Sequence, residues 1–156
     1  MRYDVVIIGA GAAGFACALT LGSANDKFDW AKDKKYLILN DNKSDLNVGK
    51  YFNVAGVDSG INGVDLLLKM KKQLEIYKDV ELKDEKATKI ENLGEYFKIT
   101  TQNSTYEASI VVLATGLHKF DIECEGVNVK DNIFVPKPNN IYLENSNNLI
   151  SKNLYV

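Results

Sequence analysis

The chain has 156 residues, of which 19 are basic and 21 are acidic, and its formal net charge is −2. This length suits one domain with a substantial core, and scattered lysines at this charge argue against a nucleic-acid partner. The cysteines Cys17 and Cys124 form no Cys-x-x-Cys pair, and a single histidine, His118, argues against a zinc site. Such a composition is typical of a reduced, cytoplasmic chain without a disulfide framework.

The stretch from Tyr3 to Thr20 carries the strongest signal in the chain. Residues 5–8 are Val-Val-Ile-Ile, a β-branched run that predicts a buried strand. A run of small residues later in the stretch predicts a tightly packed helix that ends at about Ser23. Between them, Gly9, Gly11 and Gly14 have G-x-G-x-x-G spacing. A strand, a glycine turn and a helix N-terminus in this order predict a site for the pyrophosphate of a dinucleotide.

Two alternatives compete with this interpretation of the N-terminal stretch. No charged residue occurs from Val5 to Asn25, which is long enough for a membrane span or a signal peptide. However, Asp4 lies where a signal peptide carries positive charge, and the run begins as a strand and contains several glycines. We therefore expect no membrane association. The remaining alternative is a glycine-rich turn that binds no nucleotide.

The second predicted strand is Tyr36 to Leu39, and it ends at two polar residues, Asn40 and Asp41. In a dinucleotide-binding fold, the tip of this strand usually carries an acidic residue that binds the ribose hydroxyls of adenosine. Asn40 can accept and donate hydrogen bonds but lacks the charge, whereas Asp41 has the charge one position later. Either residue can serve, and an ordinary turn at this position is the alternative.

The middle of the chain predicts a loop, a helix and several short strands. Residues 42–62 contain three glycines and are typical of a long functional or mobile loop. Residues 64–77 have helical spacing, with Leu67, Leu68 and Leu74 on one flank. Short strands are then predicted at 80–82, 87–90, 96–101 and 105–107, with turn-like residues that make the middle ones hairpins.

A second strong signal follows at residues 108–116, whose sequence is Ala-Ser-Ile-Val-Val-Leu-Ala-Thr-Gly. A continuous apolar run of this kind predicts a fully buried strand of a parallel sheet. The small residues at its carboxyl end would let a cofactor lie against the backbone, where open α/β sheets bind their ligands. Taken alone, the same three residues can also form a simple turn from strand to loop.

These two motifs, about 100 residues apart with hairpins between them, resemble the FAD-binding domain of the thioredoxin-reductase-like pyridine nucleotide–disulfide oxidoreductases. VVIIGAGAAG is similar to the first FAD motif of that family, and SIVVLATG is similar to its second. Residues 51–56 (Tyr-Phe-Asn-Val-Ala-Gly) resemble its Asn-x-Pro-Gly segment, with Ala55 in place of proline. Met70 to Gln73 and the strand at 87–90 also have counterparts there. The resemblance covers Arg2 to about Gly126.

The resemblance implies an α/β, Rossmann-like FAD/NAD(P)-binding fold in one domain, residues 1–156. It implies a central parallel sheet with helices and an antiparallel β-meander inserted at about residues 80–108. FAD is the implied cofactor, with NAD(P)H as a candidate electron donor. The implied contacts are Gly9, Gly11, Ala12, Ala13 and Gly14 at the pyrophosphate, Asn40 and Asp41 at the ribose, the main chain of Ala87 at the adenine, Gly49, Lys50 and Asn53 near the flavin half, and Ala114, Thr115 and Gly116 against the central part of the cofactor. Lys50 is equally consistent with a solvated loop lysine.

The sequence departs from this family in the residues that would complete its reaction. It contains neither a second G-x-G-x-x-G nor a Cys-x-x-Cys dithiol. Cys124 lies between Glu123 and Glu125, whose carboxylates disfavour its thiolate form, so it is a poor redox nucleophile. His118 follows the second motif and can approach a flavin, although no partner for acid–base work is visible.

The C-terminal segment, residues 117–156, is expected to return to the sheet through strands at 141–143 and 153–156. The last of these resembles the strand that precedes the third FAD motif of the family, and the sequence stops before that motif. We therefore expect a flavoprotein of oxidoreductase type whose FAD retention is weak or absent and which works with external nicotinamide, a redox protein or a homodimer partner. The alternatives are a non-catalytic FAD- or NAD-binding module and a truncated fragment of a larger reductase; a stand-alone disulfide reductase is not expected.

Overall fold

The structure is a computed structural model that describes residues 2–116 and the backbone of residues 123–125. In this part of the chain, 3₁₀ turns occur at Asp29–Ala31 and Asp45–Val48. The helices are α1 (Ala12–Asn25) and α2 (Gly63–Leu74). The strands are β1 (Arg2–Ile8), β2 (Tyr36–Leu39), β3 (Lys50–Tyr51), β4 (Ile61–Asn62), β5 (Val80–Lys83), β6 (Ala87–Asn92), β7 (Phe97–Thr101), β8 (Thr105–Leu113) and β9 (Glu123–Glu125).

One seven-stranded sheet contains most of these strands, in the order β5-β2-β1-β8-β7-β6-β9, while β3 and β4 form a small hairpin of their own. Strands β5, β2, β1 and β8 pair in parallel. Beyond them, β8 pairs antiparallel with β7, and β7 pairs antiparallel with β6. A parallel half and an antiparallel half joined through β8 confirm the predicted Rossmann-like α/β fold.

The apolar runs of β1 and β2 are continuous because both faces of the sheet are covered. Val5 and Ile7 of β1 pack in one cluster with Phe15 and Ala18 of α1 and Leu74 of α2. The alternate residues of β1 face the other way, into a cluster built with the antiparallel half; its members include Val6, Ile8, Leu37, Leu39, Ile90, Ile99 and Tyr106. The helices therefore lie on one face of the parallel strands, and the antiparallel half closes the other.

Helix α2 begins where Asn62 caps it by accepting a hydrogen bond from the backbone N–H of Asp65, at 2.8 Å. It ends at Leu74, three residues before the predicted end, and its buried positions include Leu66. Leu68, predicted on the apolar flank, is 58% exposed, because the buried side of the helix is the one that carries Leu66 and Leu74. Tyr77 lies beyond the helix and packs over Gly22 of α1.

The structure corrects the predicted bounds of the antiparallel meander. The predicted strand at 80–82 is present as β5, but it pairs in parallel with β2, so the antiparallel half begins at Ala87 and not at about residue 80. The predicted strand at 105–107 and most of the strand predicted at 108–116 form one strand, β8, which ends at Leu113. It pairs with β7 through its first residues and with β1 along most of its length. A single strand can serve both halves because its two edges are used by different neighbours.

The prediction that residues 108–116 are fully buried is wrong for the outer part of β8. Pairing of β7 with β8 reaches only Ala108, and Ile110 and Leu113 beyond it are 56% and 37% exposed. An apolar run is compatible with a fully buried strand and with a partly exposed one, because the sequence does not show how far a neighbouring strand extends.

Several expectations fall on residues that the structure does not describe. His118, the side chain of Cys124 and the strands predicted at 141–143 and 153–156 lie outside the described residues. Of the C-terminal segment, only the short strand β9 is described, and it pairs in parallel with β6 at the edge of the sheet.

Candidate functional site

The glycine turn after β1 has the geometry that the motif predicts. Gly9 has φ of +106°, in the region that disfavours residues with a Cβ atom. Its N–H donates to the carbonyl of Leu39 at 2.8 Å, and a methyl group on it would overlap the backbone carbonyl of Ala114. Gly9 is therefore required both by its own conformation and by the strand end beside it.

Gly14 and Gly11 differ in what surrounds them. A methyl group on Gly14 would overlap the backbone carbonyl of Gly9, so this glycine lets α1 lie directly on the turn. A methyl group on Gly11 would meet only the Ser44 Oγ, at an ordinary distance of 3.6 Å. The protein itself therefore does not require glycine at position 11, and the free space in front of that backbone is open to a ligand.

The N-terminus of α1 faces this free space. Its N-cap is Gly11, no side chain caps it, and its first turn contains no acidic residue. The N–H groups of the first turn have no acceptor within the helix and point outward from its N-terminal end, where the helix dipole is positive. With Ala12 and Ala13 as the first two helical residues, this end of α1 can bind an anion such as a pyrophosphate.

The end of β8 lies beside the glycine turn, so the two sequence motifs meet in space. The N–H of Ala114 donates to the carbonyl of Ile8 at 2.8 Å, which continues the β1–β8 ladder to the turn. Thr115 is half-buried, and Gly116, with φ of +77°, turns the chain away in the left-handed region. The carboxyl ends of β1 and β8 thus form one rim, as expected for a ligand site of an open α/β sheet.

The tip of β2 continues the same rim, but its polar residues are already engaged. The Asn40 amide donates to Asn42 Oδ1 at 2.7 Å and to Asp84 Oδ1 at 2.8 Å. Its Oδ1 accepts the Asn42 backbone N–H at 3.0 Å. Asp41 is exposed and accepts the Lys43 backbone N–H at 3.0 Å. Both predicted ribose residues therefore lie at the rim, and Asn40 has a fixed orientation.

Ala87 is buried at the start of β6, and the segment before it is held by Glu85. The Glu85 carboxylate accepts hydrogen bonds from the hydroxyls of Thr101 at 2.5 Å and Tyr106 at 2.8 Å. The Thr101 and Tyr106 hydrogen bonds hold the pKa of Glu85 below its ordinary value, against a smaller opposing effect of desolvation. Glu85 therefore ties the connection from β5 to the antiparallel half, where Ala87 is predicted to meet the adenine.

We expect Glu85→Gln to destabilise the protein at neutral pH and to lose that effect in acid. Because the folded-state pKa is lowered, the carboxylate contributes stability above its ordinary pKa, and the contribution is lost as the pH falls through the folded value. Thermal unfolding between pH 7 and pH 3 should show the Tm values of wild type and variant converging below about pH 4.5. Glu75→Gln, at an exposed position after α2, is the control; an unchanged difference at low pH would contradict this role.

The residues predicted near the flavin half lie in and beside the short strand β3. The Gly49 carbonyl accepts the Gly63 N–H at 3.0 Å, and the Tyr51 hydroxyl lies against Gly49. Lys50 pairs with Asn62 in the β3–β4 hairpin and is exposed, as is Asn53. Within the described residues, neither of these two side chains forms a hydrogen bond with the glycine turn.

Two residues at the rim were missed by the sequence analysis. Ser44 lies against Gly11, and an Asp45 carboxylate oxygen lies 3.7 Å from the point that a Cβ on Gly116 would occupy. Ser44 caps the 3₁₀ turn that follows by accepting the Leu46 N–H, which leaves its hydroxyl proton available. The sequence signal that was available is the adjacent pair Ser44 and Asp45, because serine often caps the start of a helical turn and aspartate is enriched in its first residues.

Other kinds of site find little support in the described part of the chain. No group of three or more His, Cys, Asp or Glu side chains there could hold a metal ion. Neither described helix is long and apolar enough to cross a membrane. Cys17 is half-buried against the helix-side core, and desolvation raises the pKa of its thiol, which disfavours the reactive thiolate.

Comparison with known proteins identifies the same fold and the same family. The model of the family described as pyridine nucleotide-disulphide oxidoreductase matches residues 3–153. A thioredoxin reductase of Treponema pallidum (strain Nichols) is 32% identical over 114 residues, which cover 73% of this chain and 35% of that protein.

Among solved structures, a thioredoxin reductase from Gloeobacter violaceus is 27% identical with a TM-score of 0.64, over 74% of this chain and 37% of that one. A ferredoxin-flavin thioredoxin reductase from Clostridium acetobutylicum is 31% identical with a TM-score of 0.56, over 72% of this chain and 37% of that one. The chain thus spans about a third of the length of these relatives. It belongs to the pyridine nucleotide-disulphide oxidoreductase family.

Proposed function

We propose that this chain is an FAD-binding module of oxidoreductase type. The observation that carries the proposal is the free space at Gly11, in front of an uncapped helix N-terminus. The protein's own packing does not need a glycine at that position, whereas a backbone that approaches a pyrophosphate does. The family membership and the flavin named for one similar reductase favour FAD over other dinucleotides.

We expect the described residues to contact such a cofactor in five places. The N–H groups of Ala12 and Ala13 and the glycine turn would bind the pyrophosphate. The polar residues after β2 would bind the adenosine ribose, and the main chain at Ala87 would meet the adenine. Ala114, Thr115 and Gly116 would lie against the centre of the cofactor, and the segment from Gly49 to Asn53 would approach the flavin half.

When bound, FAD would supply the electron-transfer chemistry, while the chain would hold and orient it. We propose nicotinamide in solution or a second redox protein as the electron donor. The 156 residues contain one G-x-G-x-x-G motif, which the proposed FAD would occupy. The same observation favours a second candidate, a dinucleotide-binding module that takes no part in electron transfer by itself. Reduction experiments separate the two.

The binding test titrates the purified chain with FAD while flavin fluorescence and thermal unfolding are recorded. We expect saturable quenching, and FAD at 100 times its Kd should stabilise the chain by about 2.7 kcal/mol. For a domain of this size, this is a Tm increase of roughly 5–10 °C. FMN lacks the pyrophosphate and the adenosine, so it is the matched control and should produce no shift. The FAD proposal is wrong if FAD leaves the Tm unchanged, and dinucleotide binding as a whole is wrong if NAD leaves it unchanged as well.

The reduction test mixes the FAD-loaded chain anaerobically with NADH or NADPH and follows the visible flavin absorbance. Bleaching would support an oxidoreductase supplied by external nicotinamide. A flavin that binds but is reduced by neither nucleotide would contradict an oxidoreductase supplied by external nicotinamide and would support the binding module.

A further inference from the structure

The tip of β2 in this chain differs from the usual acidic tip of a dinucleotide-binding fold, and the contacts of Asn40 show how. Folds of this kind usually place an acidic residue there, because a carboxylate accepts both ribose hydroxyls. Here the position holds a neutral amide, and the amide donates to the carboxylate of Asp84, which is 44 positions away in the sequence.

We propose that Asp84, paired with Asn40, supplies the negative charge that receives the ribose hydroxyls of the bound dinucleotide. This inference rests on the proposed FAD function and goes beyond it by assigning a ribose contact to the residue that follows β5. Asp84 is a specificity-determining residue of that site.

The strand register brings the two residues together. Leu39 and Lys83 are partners in the parallel pair β2–β5, and the Asn40 N–H donates to the Lys83 carbonyl at 2.9 Å. Asn40 and Asp84 are the next residues of their strands, so they leave the sheet side by side at its carboxyl edge. The Gly9 N–H donates to Leu39, so the same edge continues into the glycine turn.

The hydrogen-bond inventory of Asn40 shows why it needs Asp84. Both protons of its amide are directed, one toward Asn42 and one toward Asp84, so Asn40 has no remaining donor. Its Oδ1 accepts one backbone N–H from Asn42 and keeps one lone pair. Ribose hydroxyls approaching this edge must therefore act as donors, and they need acceptors.

Asp84 has the acceptor capacity and the charge that Asn40 lacks. It is exposed, and a carboxylate has about four acceptor positions, so the bond from Asn40 leaves others available. Hydrogen bonds from hydroxyls to a carboxylate are about twice as strong as bonds between neutral groups. The Asn40–Asp84 pair thus places two acceptor groups, the Asn40 Oδ1 and the charged Asp84 carboxylate, at the rim. Together the two side chains would do what a single acidic residue usually does in this fold.

The test measures the affinity for FAD and for two competitors, ADP and 2′,3′-dideoxy-ADP, which lacks the ribose hydroxyls. We expect wild type to prefer ADP by about tenfold, and Asp84→Asn to lose that preference and to bind FAD about tenfold more weakly. Asp79→Asn, at the opposite end of β5, is the matched control and should behave as wild type. A merely structural role would weaken both competitors equally.

A charge exchange keeps the inference testable if Asp84→Asn folds poorly. The double variant Asn40→Asp with Asp84→Asn returns one carboxylate to the pair, and it should restore the preference for ADP. The inference is overturned if Asp84→Asn retains the preference, or if Asp41→Asn removes it instead. If wild type binds neither FAD nor ADP, the proposed function itself is wrong, and the inference is wrong with it.

Discussion

Replacing Gly14 with alanine is expected to lower the free energy of unfolding by about 2 kcal/mol or more, without any ligand present. The added methyl group would overlap the backbone carbonyl of Gly9, so α1 would have to move off the turn. Overpacking of this kind costs about 3 kcal/mol when backbone atoms must shift. The higher helix propensity of alanine than of glycine offsets at most about 1 kcal/mol of this cost. The overlap therefore dominates.

Thermal unfolding of the ligand-free chain measures this effect, and a Tm decrease of roughly 4–8 °C is expected. Gly11→Ala is the matched control, because it makes the same chemical change three residues earlier, where the nearest atom is at 3.6 Å. A Gly14→Ala variant as stable as wild type would show that α1 does not rest on the turn as described.

Gly11→Ala itself is expected to abolish most of the FAD affinity while leaving the ligand-free Tm nearly unchanged. The methyl group fits the empty protein, but it occupies the free space at the N-terminus of α1. Displacing the pyrophosphate from two N–H groups removes two charge-assisted hydrogen bonds, each worth about 1.5 kcal/mol or more. The combined loss corresponds to a Kd about 100-fold higher.

Fluorescence titration with FAD measures this change, and the unfolding of the same sample without ligand provides its internal control. A change at the N-cap costs the helix at most about 1 kcal/mol, which is a small Tm shift in a chain of this size. An unchanged Kd for FAD would show that the pyrophosphate does not lie at this turn, whereas a large loss of Tm would show that Gly11 is required for folding.

Much of the fold was predictable because its strongest elements have strong local signals. The strand at 36–39 has the predicted bounds, because four consecutive apolar residues between polar ones indicate a short buried strand. The glycine turn was predictable because a positive φ at Gly9 and close packing at Gly14 require a residue without a Cβ atom. In these places the covalent structure of the chain and its local sterics decide the outcome.

Pairing between distant strands was not predictable in the same way. The strand β5 has four residues of mixed polarity, which suit an edge of either half of the sheet, and only its pairing with β2 places it in the parallel half. The exposure of Ile110 depends on where β7 begins, because its first residue, Phe97, pairs with Ala108.

The sequence alone therefore determined the family, the glycine turn and the order of strand, turn and helix, because each depends on residues close together in the chain. Only the tertiary structure placed Ala114 against Gly9, Ser44 against Gly11 and Asp84 against Asn40. These contacts join segments that are tens of residues apart, and they form only when the parallel strands align their carboxyl ends at one edge. The conformation of the glycine turn, where the pyrophosphate is proposed to bind, is thus determined locally, whereas the proposed ribose acceptor arises from the register of two neighbouring strands.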